Sequence, residues 1–164
     1  MEKEDIDNIE IVVPNIIDID IDIIDNIAVQ VHECHVKWRP DIFEHTDSII
    51  DKEELEEKIL KQEIFVAKID GKIVGYILLS SKEGKKNGYK YRKQLEIEAM
   101  GIDKEYRNQG IGTKLLEFVK EYGKNNNYTD LRLTVNEENE NAIHLYEKVG
   151  FKVRNIAYTL HFDK

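Results

Sequence analysis

Apolar residues recur along this chain with two different periods. Some stretches follow a strand pattern of alternating or continuous apolar residues, and others place apolar residues three and four positions apart, as on one face of a helix. The predicted strands cover residues 9–13, 64–69, 73–80, 90–102 and 131–135, with one or two more in Phe151–Phe162. The predicted helices cover about residues 20–37, 52–62, 110–124 and 139–149.

The order of these elements indicates the fold class. One strand and two helices precede a run of antiparallel strands, which a strand–helix–strand–helix–strand segment follows. We expect an α+β (mixed α/β) fold, in which helices flank a mixed, mostly antiparallel sheet. Asp70-Gly71 predicts a tight hairpin turn, and Leu55, Ile59 and Leu60 are expected on the buried face of the second helix. Since no repeat or long linker is present, residues 1–164 are predicted to form a single domain.

Composition and charge exclude several classes of function. The net charge is −9, and residues 1–25 hold nine acidic residues and one lysine, so most of the acidity is local. No broad basic face is evident, which argues against nucleic-acid binding. No apolar run is long enough to span a membrane and no signal-like segment is recognisable, so we expect a cytoplasmic protein. Cys34 is the single cysteine, which excludes a disulfide within one chain.

The segment Arg107-Asn108-Gln109-Gly110-Ile111-Gly112-Thr113 has the character of a phosphate cradle. It joins an apolar strand to the start of an amphipathic helix, where unpaired N–H groups and the helix dipole favour an anion. A tight connection without a ligand is the simpler alternative. The segment lacks the Gly-Lys-Ser/Thr ending of a nucleotide P-loop and the three glycines of the dinucleotide fingerprint.

Two motifs give this segment a context. Arg107-x-x-Gly110-x-Gly112 resembles motif A of the GNAT superfamily of N-acetyltransferases. The stretch Asn139–Phe151, with its Leu-Tyr-Glu-Lys and Gly-Phe, is similar to the second signature of that family. The resemblance covers about residues 64–152, and Lys104 departs from it where many members carry proline.

The resemblance implies the GNAT fold and acetyl-CoA as co-substrate. Acetyl-CoA would lie where the strands Glu96–Ile102 and Leu131–Val135 splay apart, with its pantetheine arm on the strand backbone and its pyrophosphate on the helix start. Arg107 would add charge there or be a solvated loop residue, and Asn139 would contact acetyl-CoA, cap its helix, or both. The implied binding residues are Met100, Gly101, Ile102, Arg107, Asn108, Gln109, Gly110, Ile111, Gly112, Thr113 and Asn139.

Acetyl transfer to an amine makes three chemical demands. The amine, with a pKa of roughly 10, must lose a proton, the tetrahedral intermediate needs an oxyanion donor, and the departing thiolate needs a proton. By resemblance Tyr146 is the candidate acid, although its helical spacing also suits a core aromatic. Glu98 and then Glu96 are the candidate bases, with the alternative that no dedicated base exists. A backbone N–H near Met100 is the candidate oxyanion donor.

These motifs do not identify the acetyl acceptor. Residues 30–65 and the loop 82–92 are expected to build its pocket, with Trp38–Phe43 lining it, and the hypothesis is a small amine or a peptide amine. No metal is expected, although the spacing of His32 and His35 allows a metal pair. A non-catalytic acyl-CoA-binding sensor or partner module is the alternative function. The sequence also allows a homodimer, in which the final strand would pair with a second copy.

Overall fold

The computed structural model describes residues 8–162, which form five strands and four α-helices. The chain divides into two units, one ending at Thr134 and the other beginning at Val135, and each is described by itself. The elements are β1 (Ile9–Val12), α1 (Ile21–Trp38), α2 (Lys52–Leu60), β2 (Ile64–Ile69), β3 (Lys72–Gly84), β4 (Arg92–Ile102), α3 (Ile111–Asn125), β5 (Asp130–Leu133) and α4 (Glu140–Val149). The 3₁₀ turn Lys104–Tyr106, which the sequence did not predict, links β4 to α3.

The five strands form one sheet in the order β1-β2-β3-β4-β5. The first three pairings are antiparallel and the β4–β5 pairing is parallel, which confirms the predicted mixed sheet. Asp70 and Gly71, with φ angles of 50° and 79°, turn β2 into β3. Positive φ at both central residues is the geometry that suits the twist of a hairpin, so the Asp-Gly prediction is confirmed.

Helices cover both faces of the sheet. Ile27 of α1 and Leu55 of α2 share a buried cluster with Val66 of β2. Phe65 precedes Val66, so its side chain points to the opposite face, where its ring lies 4.9 Å from that of Phe118 in α3. None of the helices in the described range 8–162 is long and apolar enough to cross a membrane.

The buried face of α2 differs from the prediction at two positions. Leu60 was expected in the core, yet its side chain is 74% exposed, and Lys58 is buried at 8% exposure. Lys58 lies three residues after Leu55, a spacing that puts both residues on the same helix face. Ile59, four residues after Leu55, completes this buried face. α2 begins after Asp51, whose carboxylate accepts a hydrogen bond from Glu54 N–H at 2.8 Å.

The predicted strands in Phe151–Phe162 are wrong, since residues 151–162 have no regular secondary structure. Alternating apolar residues specify a strand only when a second edge is available for backbone pairing. Ile156, Tyr158, Leu160 and Phe162 are instead exposed.

β3 continues to Gly84, beyond its predicted end at Ser80, because the long partner strand β4 pairs with it as far as Arg92.

Candidate active site

The parallel strands β4 and β5 are paired over only part of β4. Pairing runs from Gln94 opposite Asp130 to Ile97 opposite Leu133. β4 continues for five more residues, from Glu98 to Ile102, which have no β5 partner. The backbone edge of this half of β4 is therefore open on the side away from β3. We call residues 98–102 the open half of β4.

The direction of the backbone groups in the open half follows from two hydrogen bonds. Asp103 N–H donates to Val74 O at 2.9 Å, so residue 103 faces β3. Because successive residues of a strand point their backbone groups to opposite edges, Ile102 and Met100 face the open edge. Arg107 Nε donates to Ile102 O at 3.0 Å, which agrees with this direction and ties the following loop to the end of β4.

α3 begins beside the open half of β4 and has no side-chain cap. Its N-cap residue, Gly110, has a φ of 85° and no side chain to accept a hydrogen bond from the first turn. The N–H groups of Ile111, Gly112 and Thr113 have no acceptor within the helix. The first turn contains no acidic residue, so the positive end of the helix dipole is not balanced locally. These features together would suit an anion at the helix start.

The two candidate bases have different surroundings. Glu96 lies opposite Arg132, and the closest approach between their charged groups is 3.8 Å, from Nε to Oε2. Glu98 is held more closely, with its Oε2 2.9 Å from Lys58 Nζ. A shift in the β3–β4 register leaves Glu98 without an opposite residue, since Leu78 pairs with Ala99 and the next β3 residue pairs with Ile97. This is a β-bulge, a feature that redirects a side chain and often lies next to active sites.

Sequence reasoning missed Lys58, the buried cation beside Glu98. Lysine is rarely buried unless it is paired, so a lysine on an otherwise apolar helix face predicts an acidic neighbour. The spacing from Leu55 was the available signal. The pairing itself arises from the register of β3 and β4, which the sequence pattern did not indicate.

Asn139 and Tyr146 belong to the second unit. Asn139 caps α4, because its Oδ1 accepts a hydrogen bond from Ala142 N–H at 3.2 Å. Gly150 ends α4 with a φ of 112°, which confirms the predicted left-handed cap. The ring of Tyr146 lies 5.7 Å from that of Phe151, edge to face. Burial raises the pKa of the Tyr146 phenol, which therefore keeps its proton at neutral pH.

An aromatic cluster occupies the region expected to line the acceptor pocket. The His35 ring, on α1, lies 5.7 Å from the Trp38 ring and 5.4 Å from the Phe43 ring. Burial, with the nearby His32, lowers the pKa of His35, which favours its neutral form. His32 Nε2 lies 2.7 Å from Glu44 O. Within residues 8–162 no group of three or more metal-ligating side chains is assembled.

Comparison with known sequences points to one family. Residues 29–151 match the model of the acetyltransferase (GNAT) family. An N-alpha-acetyltransferase of Sulfurisphaera tokodaii is 36% identical over 96 residues, which are 54% of this chain and 55% of that protein. An uncharacterized N-acetyltransferase of Methanocaldococcus jannaschii, MJ1530, is 37% identical over 102 residues, 60% of this chain and 58% of that one. The matched region is therefore about half the length of these relatives.

Comparison with solved structures shows the fold. A mutant of the BH1408 protein from Bacillus halodurans has a TM-score of 0.85 at 23% identity, over 94% of this chain and 98% of that one. An aminoglycoside acetyltransferase from an uncultured soil metagenomic sample, in complex with sisomicin, has a TM-score of 0.63 at 18% identity. That match covers 94% of this chain and 98% of the other. The expected GNAT fold is confirmed.

Proposed function

The chain belongs to the acetyltransferase (GNAT) family, and from that premise we propose that it transfers an acetyl group from acetyl-CoA to a primary amine of a small molecule or a peptide. The observation that carries the proposal is the uncapped start of α3 beside the open half of β4. Such a pair of features suits a ligand with a peptide-like arm and a phosphate group. Acetyl-CoA, which the family generally uses, has both.

The residues present fit acetyl-CoA. The N–H groups of residues 109–113 would bind the pyrophosphate, since a helix start without an acidic cap attracts anions. Open space lies where a side chain on Gly110 would project, which suits close approach of a phosphate. The backbone of Met100 and Ile102 faces the open edge and would pair with the pantetheine arm as an added strand pairs with a sheet. Gly101 lies between them, and the family resemblance adds Arg107, Asn108 and Asn139 to the proposed binding residues.

The proposed reaction needs a base, an oxyanion donor and an acid. Glu98, or Glu96 in its place, would take the proton from the acceptor amine. The nitrogen then attacks the thioester carbonyl, and the N–H of Met100 would stabilise the oxyanion of the tetrahedral intermediate. The C–S bond breaks as the intermediate collapses, and Tyr146 would protonate the departing thiolate. The raised pKa of Tyr146 supports this role, because an acid must still hold its proton at neutral pH.

The acceptor is proposed to be a primary amine beside the aromatic cluster of His35, Trp38 and Phe43. The names of the similar proteins give two classes to test, peptide N-termini and aminoglycosides. A neutral His35 among aromatic rings suits an apolar part of the acceptor better than a second charge. Polyamines form a third class, in which the amine is separated by apolar methylenes.

Release of free thiol from acetyl-CoA, measured with a panel of these amines, tests the proposal. We expect release that depends on one class of amine and falls at least tenfold in Tyr146→Phe, because the variant cannot donate a proton. Tyr128→Phe, between α3 and β5, is the control and should leave the rate unchanged, since this ring lies against Lys93 Nζ at 4.3 Å and outside the expected acceptor pocket. Binding of acetyl-CoA without thiol release for any amine would instead support the non-catalytic alternative.

A homodimer is the quaternary state that we propose. Apolar side chains alternate through Ile156, Tyr158, Leu160 and Phe162, and Tyr158 is 91% exposed. A stretch of this kind is typical of a strand that lacks its partner edge. β5 of a second copy offers such an edge, because in the described sheet it pairs only with β4. Light scattering should give the mass of two chains for the unsubstituted protein and the mass of one chain for Tyr158→Glu. A monomer in both samples would contradict the dimer.

A single domain over residues 1–164 and a cytoplasmic location stay predictions. The family model extends across the division between the two units, from residue 29 to residue 151, which supports one functional domain. The absence of a nucleic-acid partner also stays a prediction, because it rests on charge distribution alone.

A further inference from the structure

Lys58 is the one charged residue that is buried in the part of the chain that the structure describes, with 8% of the residue exposed. Burying an ammonium group is costly unless it is paired and hydrogen-bonded, so the groups around Nζ determine whether the burial is tolerated. Lys58 Nζ donates to Leu79 O and lies 2.9 Å from Glu98 Oε2 and 3.5 Å from Glu63 Oε2. These three acceptors match the three N–H donors of an ammonium group.

Lys58 and its three acceptors lie at the bulge between β3 and β4. Leu79 is the β3 residue at which the register shifts, and Glu98 is the β4 residue that the shift leaves without an opposite. A bulge interrupts the hydrogen bonding of the two strands, and Lys58 contacts both sides of the interruption. Glu63 is fixed in turn, because its Oε1 accepts a hydrogen bond from Ser81 Oγ at 3.1 Å. The ammonium is therefore held in place from several directions.

We propose that Lys58 is a positioning residue for acetyl transfer, which fixes the Glu98 carboxylate through Oε2 so that Oε1 accepts the proton of the acceptor amine. This inference rests on the proposed function and selects Glu98 over Glu96 as the base. The Glu98 side chain is 39% exposed, so an amine can reach it, whereas that of Lys58 is 11% exposed and lies behind it. Glu96 has only the 3.8 Å contact with Arg132, whose side chain is 42% exposed.

The chemical step balances without a further reactant. The amine N–H bond breaks and its proton moves to Glu98 Oε1, directly or through one water. The nitrogen lone pair forms the C–N bond, and the nitrogen then loses its second proton to water. The C–S bond breaks, the electron pair leaves on sulfur, and sulfur takes a proton from Tyr146. Water returns a proton to Tyr146 as Glu98 releases its own. Lys58 exchanges no proton in this scheme. Its role is to orient the carboxylate, which matters because proton transfer needs the donor and acceptor at hydrogen-bond distance.

A double-mutant cycle distinguishes a Lys58 that positions Glu98 from a Lys58 with a purely structural role. Lys58→Met and Glu98→Gln are each expected to lower kcat by about 10- to 100-fold. If Lys58 acts through Glu98, the double variant should be no slower than Glu98→Gln alone. The KM for the amine and the Kd for acetyl-CoA should stay within about twofold. If the two losses multiply in the double variant, Lys58 does not act through Glu98.

Three further variants keep the test decisive. Lys58→Arg keeps the charge and should recover most of the lost kcat, whereas an arginine variant as slow as Lys58→Met contradicts a positioning role. Lys58→Gln keeps a donor for Leu79 O without the charge, and replaces Lys58→Met in the cycle if the methionine variant does not fold. Lys124→Met is the matched control at the end of α3, since the Lys124 side chain is 62% exposed and its Nζ lies 2.8 Å from Glu121 Oε1. It should match the unsubstituted protein.

The outcomes also separate this inference from the proposed function. Thiol release by the unsubstituted protein, with losses that multiply in the cycle, contradicts the role of Lys58 and leaves the acetyltransferase proposal standing. No thiol release from the unsubstituted protein with any amine contradicts the proposed function, and the role of Lys58 with it.

Discussion

The helices α2 and α3 start in opposite ways. α2 begins after Asp51, whose carboxylate accepts the Glu54 N–H, and its first turn carries Glu53 and Glu54. α3 begins after Gly110, with no side-chain cap and no acid in the first turn. Both starts have unpaired N–H groups and a positive dipole end, but only α2 neutralises them with its own residues. This difference supports the proposal that the start of α3 binds an anionic ligand.

The other described helices have a side-chain cap at their start, as α2 does. Asp20 caps α1 through Ile23 N–H, Asn139 caps α4, and Asp103 caps the 3₁₀ turn that precedes α3. A side-chain cap contributes about 1 kcal/mol to stability, so its omission at α3 has a cost. A bound pyrophosphate would offset that cost only in the complex. The four predictions below alter one helix start at a time.

Gly110→Asp is expected to have the largest effect. It places a negative charge at the start of α3 and a side chain at a φ of 85°, so acetyl-CoA affinity should fall by roughly 30-fold, or about 2 kcal/mol. Isothermal titration measures the loss. Gly88→Asp is the matched control, because Gly88 has a φ of 82° and equally open surroundings. If both variants bind acetyl-CoA as the unsubstituted protein does, the α3 start is not the phosphate site.

Thr113→Glu should move stability and binding in opposite directions. A glutamate in the first turn interacts favourably with the helix dipole and stabilises the free protein by about 0.3–1 kcal/mol. The same charge opposes a pyrophosphate, so acetyl-CoA affinity should fall by roughly tenfold. Thermal unfolding with and without acetyl-CoA measures both effects in one experiment. A variant that gains affinity would refute the anion site.

Asp51→Ala removes the cap of α2 and should lower stability without any effect on ligand binding. The lost hydrogen bond to Glu54 N–H, 2.8 Å in the structure, is worth about 1 kcal/mol. For a chain of this size the melting temperature should fall by roughly 2–4 °C. Acetyl-CoA affinity should stay within about twofold, and a larger change would mean that the two helix starts are coupled.

Glu54→Thr is the reciprocal of Thr113→Glu and should have the smallest effect. It removes an acid from the first turn of α2, which costs about 0.3–1 kcal/mol of stability at low salt. The loss should shrink as salt is added, because the dipole interaction is screened. Denaturant unfolding at two salt concentrations measures it. A fall in acetyl-CoA affinity comparable to that of Thr113→Glu would show that the start of α2 affects acetyl-CoA binding as much as the start of α3 does.

The elements that local pattern determines were predictable from the sequence. The apolar stripes of α3 and α4, the Asp-Gly hairpin and the glycine at the end of α4 all depend on residues close in sequence. The start of α3 was predictable for the same reason. The sequence also indicated Glu98 and Glu96 as a pair on one strand, but not the unequal contacts that separate them.

The features that were missed depend on residues far apart in sequence. The bulge at Glu98 is a matter of register between β3 and β4, and the burial of Lys58 depends on where α2 meets that bulge. The predicted strands in 151–162 required an edge to pair with, which periodicity within one segment does not supply. Long-range pairing, rather than local preference, separates the successful predictions from the failures.

Amide NMR titration tests whether the start of α3 binds the pyrophosphate of acetyl-CoA. Acetyl-CoA should shift the backbone N–H signals of Ile111, Gly112 and Thr113 together with those of Met100 and Ile102. S-acetylpantetheine, which lacks the pyrophosphate, should shift only the signals of Met100 and Ile102. Signals at the α3 start that stay unmoved at saturating acetyl-CoA would contradict the account.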